Sequence, residues 1–299
     1  MTGRLVADIG GTQARFAVVL PNGQITRRID YATHDFPSFA AALNRYRTES
    51  AVARGAISEA AIAGAGPLIK GGITLTNADW HLETETLRRL LGVRKAAVVN
   101  DLAAVALALP LLPETERQTL HEGQPDLAQP RLVVGLGTGL GMAQLLPQPD
   151  GRFLVQASEA GHVGCLPLVL ARRAEAETYS LEAWLSGPGL ARLHASLCGE
   201  DADPAAIAED QGQAARRTRR LFGEAVAAVL RDAALMTGAF GGIALTGSVA
   251  RALAEEIASG LTQVLADPHP LPELVQSLQV ELIQHPDPAF LGLAQMPLG

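Results

Sequence analysis

The chain has 299 residues, 48% hydrophobic and 18% charged, with a formal net charge of −7 and a pI near 5.5. Such a composition excludes disorder and suits two domains better than one, while the acidic balance excludes the clustered Lys and Arg of a nucleic-acid binder. No stretch approaches the roughly 18 uninterrupted apolar residues of a membrane span, and the start MTGRLVADIGG carries no leader pattern, so the expectation is a cytoplasmic protein with no membrane partner.

In chain order, the first apolar β-rich run is Leu5 to Ile9, which stops at glycines and resumes as a second strand in LVADIGGTQARFAVVL. Ala96 to Val99 is the next buried strand, and VVNDLAAVALAL then passes through Asn100 and Asp101 into helical spacing. Between Pro110 and Pro130 four prolines punctuate a polar stretch in which the hydrophobic pattern lapses. A domain boundary is expected near its start: residues 1–109 form a small α/β domain, residues 110–285 a large one, and the apolar segment 286–299 returns as a helix to complete the first. Leu132 to Leu136 opens LVVGLGTGLGMAQLL, a second strand, glycine turn and strand. Ile243 to Leu245 precedes TGSVARALAEEIASGL, again strand to turn to helix. Each half thus has one hairpin and one strand-to-helix turn, as in an internal duplication. Cys165 and Cys198 match no zinc-ligand spacing as a pair and are expected as reduced core thiols. Arg216, Arg217, Arg219 and Arg220 are expected on a solvated helix face.

The glycines of Asp8-Ile9-Gly10-Gly11-Thr12 allow backbone N–H groups to approach an anion, and Thr12 adds a hydroxyl donor. Asp8 could hold Mg²⁺ through water; the alternative is an ordinary hairpin with a capping aspartate. Gly137-Thr138-Gly139 repeats the device. Read as GxGxxG, this second loop requires a following helix, but Met142 to Pro147 is too short and reads as a strand. No GxxxxGK[ST] loop occurs. Two such hairpins resemble those of the actin-like ATPase (ribonuclease H-like) fold, an α/β architecture of duplicated halves with nucleotide in the interdomain cleft.

Phosphoryl transfer to an alcohol needs a positioned base. Asp101 ends a rigid strand beside Asn100, so both side chains can serve a cleft, although either could simply cap the helix. In Glu159-Ala160-Gly161-His162 a carboxylate and an imidazole can each engage sugar hydroxyls, and Glu182, before Leu185-Ser186-Gly187-Pro188-Gly189, offers a second carboxylate. The plainer alternatives are a core histidine at 162 and a surface charge at 182.

The order LVADIGGTQARFAVV, TNADW at Thr76 to Trp80, VVNDLAAVALALP, GLGTGLGMAQL, EAGHVGCLP, LEAWLSGPGL, FGGIALTGSVA resembles the bacterial glucokinases from Leu5 to Leu293. That resemblance implies ATP and Mg²⁺ as cofactors, D-glucose as substrate, Asp101 as general base, and Asn100, Asp101, Glu159, His162 and Glu182 as sugar ligands. It implies nucleotide contacts from Asp8, Gly10, Gly11, Thr12, Gly137, Thr138, Gly139, Gly247 and Ser248, with Gly241 to Ser248 beside the adenosine. Gln13, Ala160 and Gly164 depart from the usual Asn, Gly and acidic residue, and the zinc-bearing cysteine cluster of the related repressor-kinase family is missing. A different hexose (mannose, glucosamine or fructose), an ADP or polyphosphate donor, an ATPase of the actin or chaperone kind, and a sugar sensor are the competing readings. Base rates for small enzymes favour a C2 homodimer.

Overall fold

The computed structural model describes residues 3–53, 55–75, 80–164, 166–173 and 178–298. Thr76 to Asp79 of the TNADW motif and Cys165 therefore lie outside the described residues. Two compact units emerge: one comprises the described residues up to Leu112 together with those from Pro286 onward, and the other comprises those of Pro113–His285.

The first unit contains β1 (Gly3–Ile9), β2 (Gln13–Val19), β3 (Ile25–Ala32), α1 (Phe39–Glu49), β4 (Ile57–Gly64), the short β5 (Leu68–Ile69), β6 (Gly72–Thr74) and β7 (His81–Glu83), α2 (Thr84–Leu91), β8 (Lys95–Asn100) and α3 (Asp101–Ala108). Its main sheet has the order β3-β2-β1-β4-β8. β1 is antiparallel to β2 but parallel to β4, which is parallel to β8. A central strand with covered faces needs a continuous apolar run, and Leu5, Val6 and Ala7 are accordingly fully buried. Phe16 of β2 stacks on Tyr46 of α1, ring centroids 5.1 Å apart. The register sets Ile9, Gly64 and Asn100 in one row, at the carboxyl ends of the three parallel strands.

The second unit contains β9 (Arg117–His121), β10 (Arg131–Leu136), β11 (Leu140–Pro147), β12 (Phe153–Ser158), α4 (Leu168–Ala171), α5 (Leu181–Trp184), α6 (Gly187–Cys198), α7 (Pro204–Glu209), α8 (Gln213–Thr237), β13 (Ile243–Thr246), α9 (Ser248–Ala252), α10 (Ala254–Val264), α11 (Pro272–Gln276) and β14 (Val280–Ile283). Its sheet runs β12-β11-β10-β13-β14-β9. An antiparallel meander followed by parallel strands repeats the plan of the first unit. α8 and α10 meet at Gly223 and Gly260, where a Cβ on Gly223 would lie 2.3 Å from the Glu256 carbonyl oxygen and one on Gly260 2.5 Å from that of Gly223. α12 (Pro288–Gln295) belongs to the first unit and packs on α3 so closely that a Cβ on Gly292 would overlap the Ala104 carbonyl oxygen at 1.9 Å.

The stretch after Pro110 contains β9, an edge strand antiparallel to β14; only Leu120 of it is buried, so it leaves almost no hydrophobic period to read. Two expectations need correction. Arg219 is not on a solvated face: it is 5% exposed, and successive helical residues turn it inward with Ala215, Thr218 and Phe222 while Arg216, Arg217 and Arg220 face solvent. Cys198 is not a core thiol but the exposed last residue of α6, ahead of the left-handed cap Gly199. The helix after β13 is divided at Leu253, whose φ of −113° and ψ of 24° separate α9 from α10. Among the described residues no helix is long and apolar enough to cross a membrane.

Candidate active site

In the first unit β1 carries Asp8 to the sheet edge and the chain turns through Gly10, Gly11 and Thr12. The Gly10 N–H donates to Gln13 O at 2.8 Å. Buried Thr33 braces the turn: its hydroxyl donates to Gly10 O at 2.9 Å and its N–H to Thr12 O at 3.0 Å, with the Thr12 side exposed. Arg15 reaches Asp8 Oδ2 at 3.3 Å while its other nitrogen donates to Gln13 Oε1 at 2.7 Å. Gln13 thus steadies the arginine that faces Asp8. Burial raises the Asp8 pKa; Arg15 opposes this, and Asp287 and Asp30 add to it. One carboxylate with an oxygen outside the Arg15 contact fits Mg²⁺, which keeps most of its waters and takes few protein ligands.

Asn100 caps α3: its Oδ1 accepts from Leu102 N at 3.0 Å and Ala103 N at 3.2 Å, and its Nδ2 donates to Gly66 O at 3.1 Å. The second amide hydrogen takes part in none of these bonds. Gly66 has φ +152°, and a Cβ there would lie 2.8 Å from Thr74 O, so this close approach needs glycine. Asp101 is the first helical residue, half-buried, with Oδ1 accepting from Leu102 N at 2.9 Å. Ala65 N donates to Ile9 O at 3.0 Å, so the turn after β1, the Ala65-Gly66 segment and Asn100-Asp101 share the carboxyl edge of the sheet, where open α/β sheets bind ligands.

In the second unit the β10–β11 turn closes with Gly137 N donating to Gly139 O at 3.0 Å. The segment around α5 and α6 grips it from two sides: Gly187 N donates to Gly137 O at 2.8 Å, and Leu140 N donates to Glu182 Oε2 at 3.0 Å. A Cβ on Gly139 would lie 2.6 Å from that carboxylate oxygen, and one on Gly161 2.0 Å from Leu140 O. Glu182, the Glu159-to-His162 turn and the glycine turn therefore form one cluster. Glu159 and His162 are exposed, with Nε2 3.9 Å from Oε2, so His162 is no core histidine. Gly164 is where the Tyr179 ring lies; a Cβ there would meet it at 2.9 Å. Ala160 packs against the hydrophobic core.

Gly247, at φ +111°, precedes α9 and would bring a Cβ to 2.2 Å of Leu136 O. Beside it lies a pocket of about 290 Å³ with Gly137, Thr138, Gly187, Pro188 and Ser248 at one side and Leu190, Ala205, Ala208, Val249 and Leu253 forming an apolar wall. Its α7 wall begins with Asp203, whose carboxylate accepts from Ala205 N at 2.8 Å. Arg219 holds the other end of α7, donating to Ile207 O at 2.7 Å and Asp210 O at 2.5 Å while pairing with Glu256 at 2.7 Å. Thr33, Gly66 and α7 are absent from the residues singled out in the sequence, and Arg219 appears there only as part of a charged helix face. Only α7 is signalled there, by the Asp203-Pro204 start of a capped helix.

The family model for glucokinase matches residues 5–298. A glucokinase of Klebsiella pneumoniae is 32% identical over 307 residues, covering 96% of this chain and 94% of its own length. A glucokinase from an Antarctic psychrotroph superposes with a TM-score of 0.85 at 25% identity, over 98% of both chains. A ROK family glucokinase from Streptomyces griseus, solved with glucose and AMPPNP, shares the fold with a TM-score of 0.65 at 21% identity, over 98% of both chains. The duplicated sheets are those of the actin-like ATPase fold, and the chain belongs to the glucokinase family.

Proposed function

We propose that this protein is a glucokinase, transferring the γ-phosphoryl group of ATP to the 6-hydroxyl of D-glucose to give glucose 6-phosphate and ADP. The observation that carries the reading is Asp101, half-buried at the carboxyl ends of the parallel strands of a mixed sheet and fixed beside the capping Asn100. Asp101 accepts the hydroxyl proton as the oxygen attacks phosphorus and the bond to the ADP oxygen breaks. Asn100 has an amide hydrogen to offer the sugar, and Glu159, His162 and Glu182 supply further partners for its hydroxyls. The pocket beside Ser248 suits the adenosine, its apolar wall the base, and this favours a nucleotide donor over polyphosphate. Backbone N–H groups at Gly11 and Thr12, and at Thr138, Gly139, Gly247 and Ser248, serve the phosphates, on turns that the Gly10 and Gly137 N–H groups close. Asp8 would hold Mg²⁺ through water, and the ion would supply neutralisation of phosphate charge. The protein acts in the cytoplasm, in the first step of glycolysis, as a homodimer.

A coupled ADP-release assay with a panel of hexoses and donors tests this. Glucose-dependent release from ATP, with little turnover in the absence of sugar, is expected. Brisk release without sugar would favour the ATPase reading, and a preference for mannose, glucosamine or fructose would move the substrate.

A further inference from the structure

The far end of α6 carries chemistry that the kinase reading does not use. A ring nitrogen of His194, Cys198 Sγ and a Glu200 carboxylate oxygen all lie within 4.8 Å of one another. Local structure explains the convergence. His194 and Cys198 are four residues apart on α6 and so share a face, and the left-handed Gly199 cap (φ 76°, N–H to Ala195 O at 2.8 Å) turns the chain so that Glu200 comes back alongside them.

The histidine carries a hydrogen bond of the kind that metal ligands usually have. His194 is 5% exposed, and its Nδ1 lies 2.9 Å from Thr218 Oγ1. That hydroxyl has one proton, which it donates to Ala214 O at 3.0 Å, so Oγ1 accepts from Nδ1–H. Nε2 is left with the lone pair. A histidine whose second nitrogen is fixed by a hydrogen bond is the usual outer-shell arrangement of a metal ligand.

We propose that His194 Nε2, Cys198 Sγ and Glu200 form a Zn²⁺ site. Thiolate, imidazole and carboxylate together suit this borderline-soft ion, with water as fourth ligand. Binding displaces the Cys198 thiol proton to solvent and gives up the Sγ–H contact to His194 O at 3.1 Å. Tetrahedral zinc requires ligand atoms about 3.5 Å apart, a contraction that the exposed Cys198 and Glu200 can supply by rotamer changes. The ion would tie the end of α6 to the chain leading into α7. The inference stands whether or not the kinase reading does.

The test uses the full, reduced, chelator-stripped protein titrated with Co²⁺ as a spectroscopic probe, followed by displacement with Zn²⁺. One equivalent of Co²⁺ is expected to give a thiolate-to-cobalt charge-transfer band that Zn²⁺ abolishes. The band should persist in Cys165→Ser and vanish in Cys198→Ser, and Glu200→Gln should weaken Co²⁺ binding at least about tenfold. Thr218→Val should also weaken it by about 10–100-fold, the usual cost of losing an outer-shell partner. Absence of the band in the wild-type protein, its survival in Cys198→Ser, or unchanged affinity in Glu200→Gln would overturn the proposal; because both of those side chains are exposed, folding failure does not intervene.

Discussion

Glu182 accepts the backbone N–H of Leu140 at 3.0 Å, across 42 residues of sequence. The carboxylate proposed for the sugar therefore also braces the glycine turn proposed for phosphate. Its neighbour in role, Glu159, is exposed and paired only loosely with His162.

The two carboxylates should consequently behave differently. Glu159→Gln is expected to raise the KM for glucose by about 10–100-fold with ATP nearly unaffected, because a charge-assisted hydrogen bond contributes about 1.5–3 kcal/mol. Glu182→Ala should raise the KM values for both substrates, since it also leaves Leu140 N–H without its acceptor. Steady-state kinetics with each substrate varied separates the cases; an ATP defect in Glu159→Gln alone would reverse the assignment.

Asp8 is a liability to the fold when ionised. Burial lifts its folded-state pKa above the unfolded value, so the ionised carboxylate costs stability. The cost is full above the folded-state pKa, shrinks as pH falls through that value, and disappears below the unfolded one. Asp8→Asn should therefore raise Tm at neutral pH, with the gain fading in acid, while kinase activity falls. Thermal denaturation across pH checks the sign; a variant less stable at neutral pH than in acid, relative to the wild-type protein, would refute it.

Arg219 holds from within the α7 wall of the pocket proposed for the nucleotide. Arg219→Ala removes a buried donor to two carbonyls and the partner of Glu256, which is 25% exposed. A loss of about 2–4 kcal/mol is expected, at the lower side of breaking a buried ion pair because Glu256 retains some solvent. Urea denaturation gives the loss, and KM for ATP should rise more than KM for glucose. Equal changes in both would place the effect outside the pocket.

The hairpins and the strand-to-helix turns were readable because their cause is local: a buried β-rich run ending in glycine, or in Asn100-Asp101, leaves a period and a stop in adjacent residues. What escaped depends on long-range contact. Nothing near Glu182 announces Leu140, and nothing near Gly66 announces Asn100. Arg219 was hidden by its company, since four arginines within five positions look like a charged face although one of them points inward. β9 was hidden because an edge strand with a single buried leucine has no alternation to detect. Cysteine spacing alone concealed the cluster around Cys198, whose neighbours are a histidine and a glutamate.

The most direct test of the account is the turnover of Asp101→Asn, measured as glucose 6-phosphate formed. The amide retains an oxygen to accept Leu102 N–H, so the fold and glucose binding, the latter within about tenfold, should survive. What it cannot do is take the hydroxyl proton. We expect kcat to fall by at least about 10²-fold, the lower end of a general base's contribution; near wild-type kcat in the folded variant would contradict the central claim.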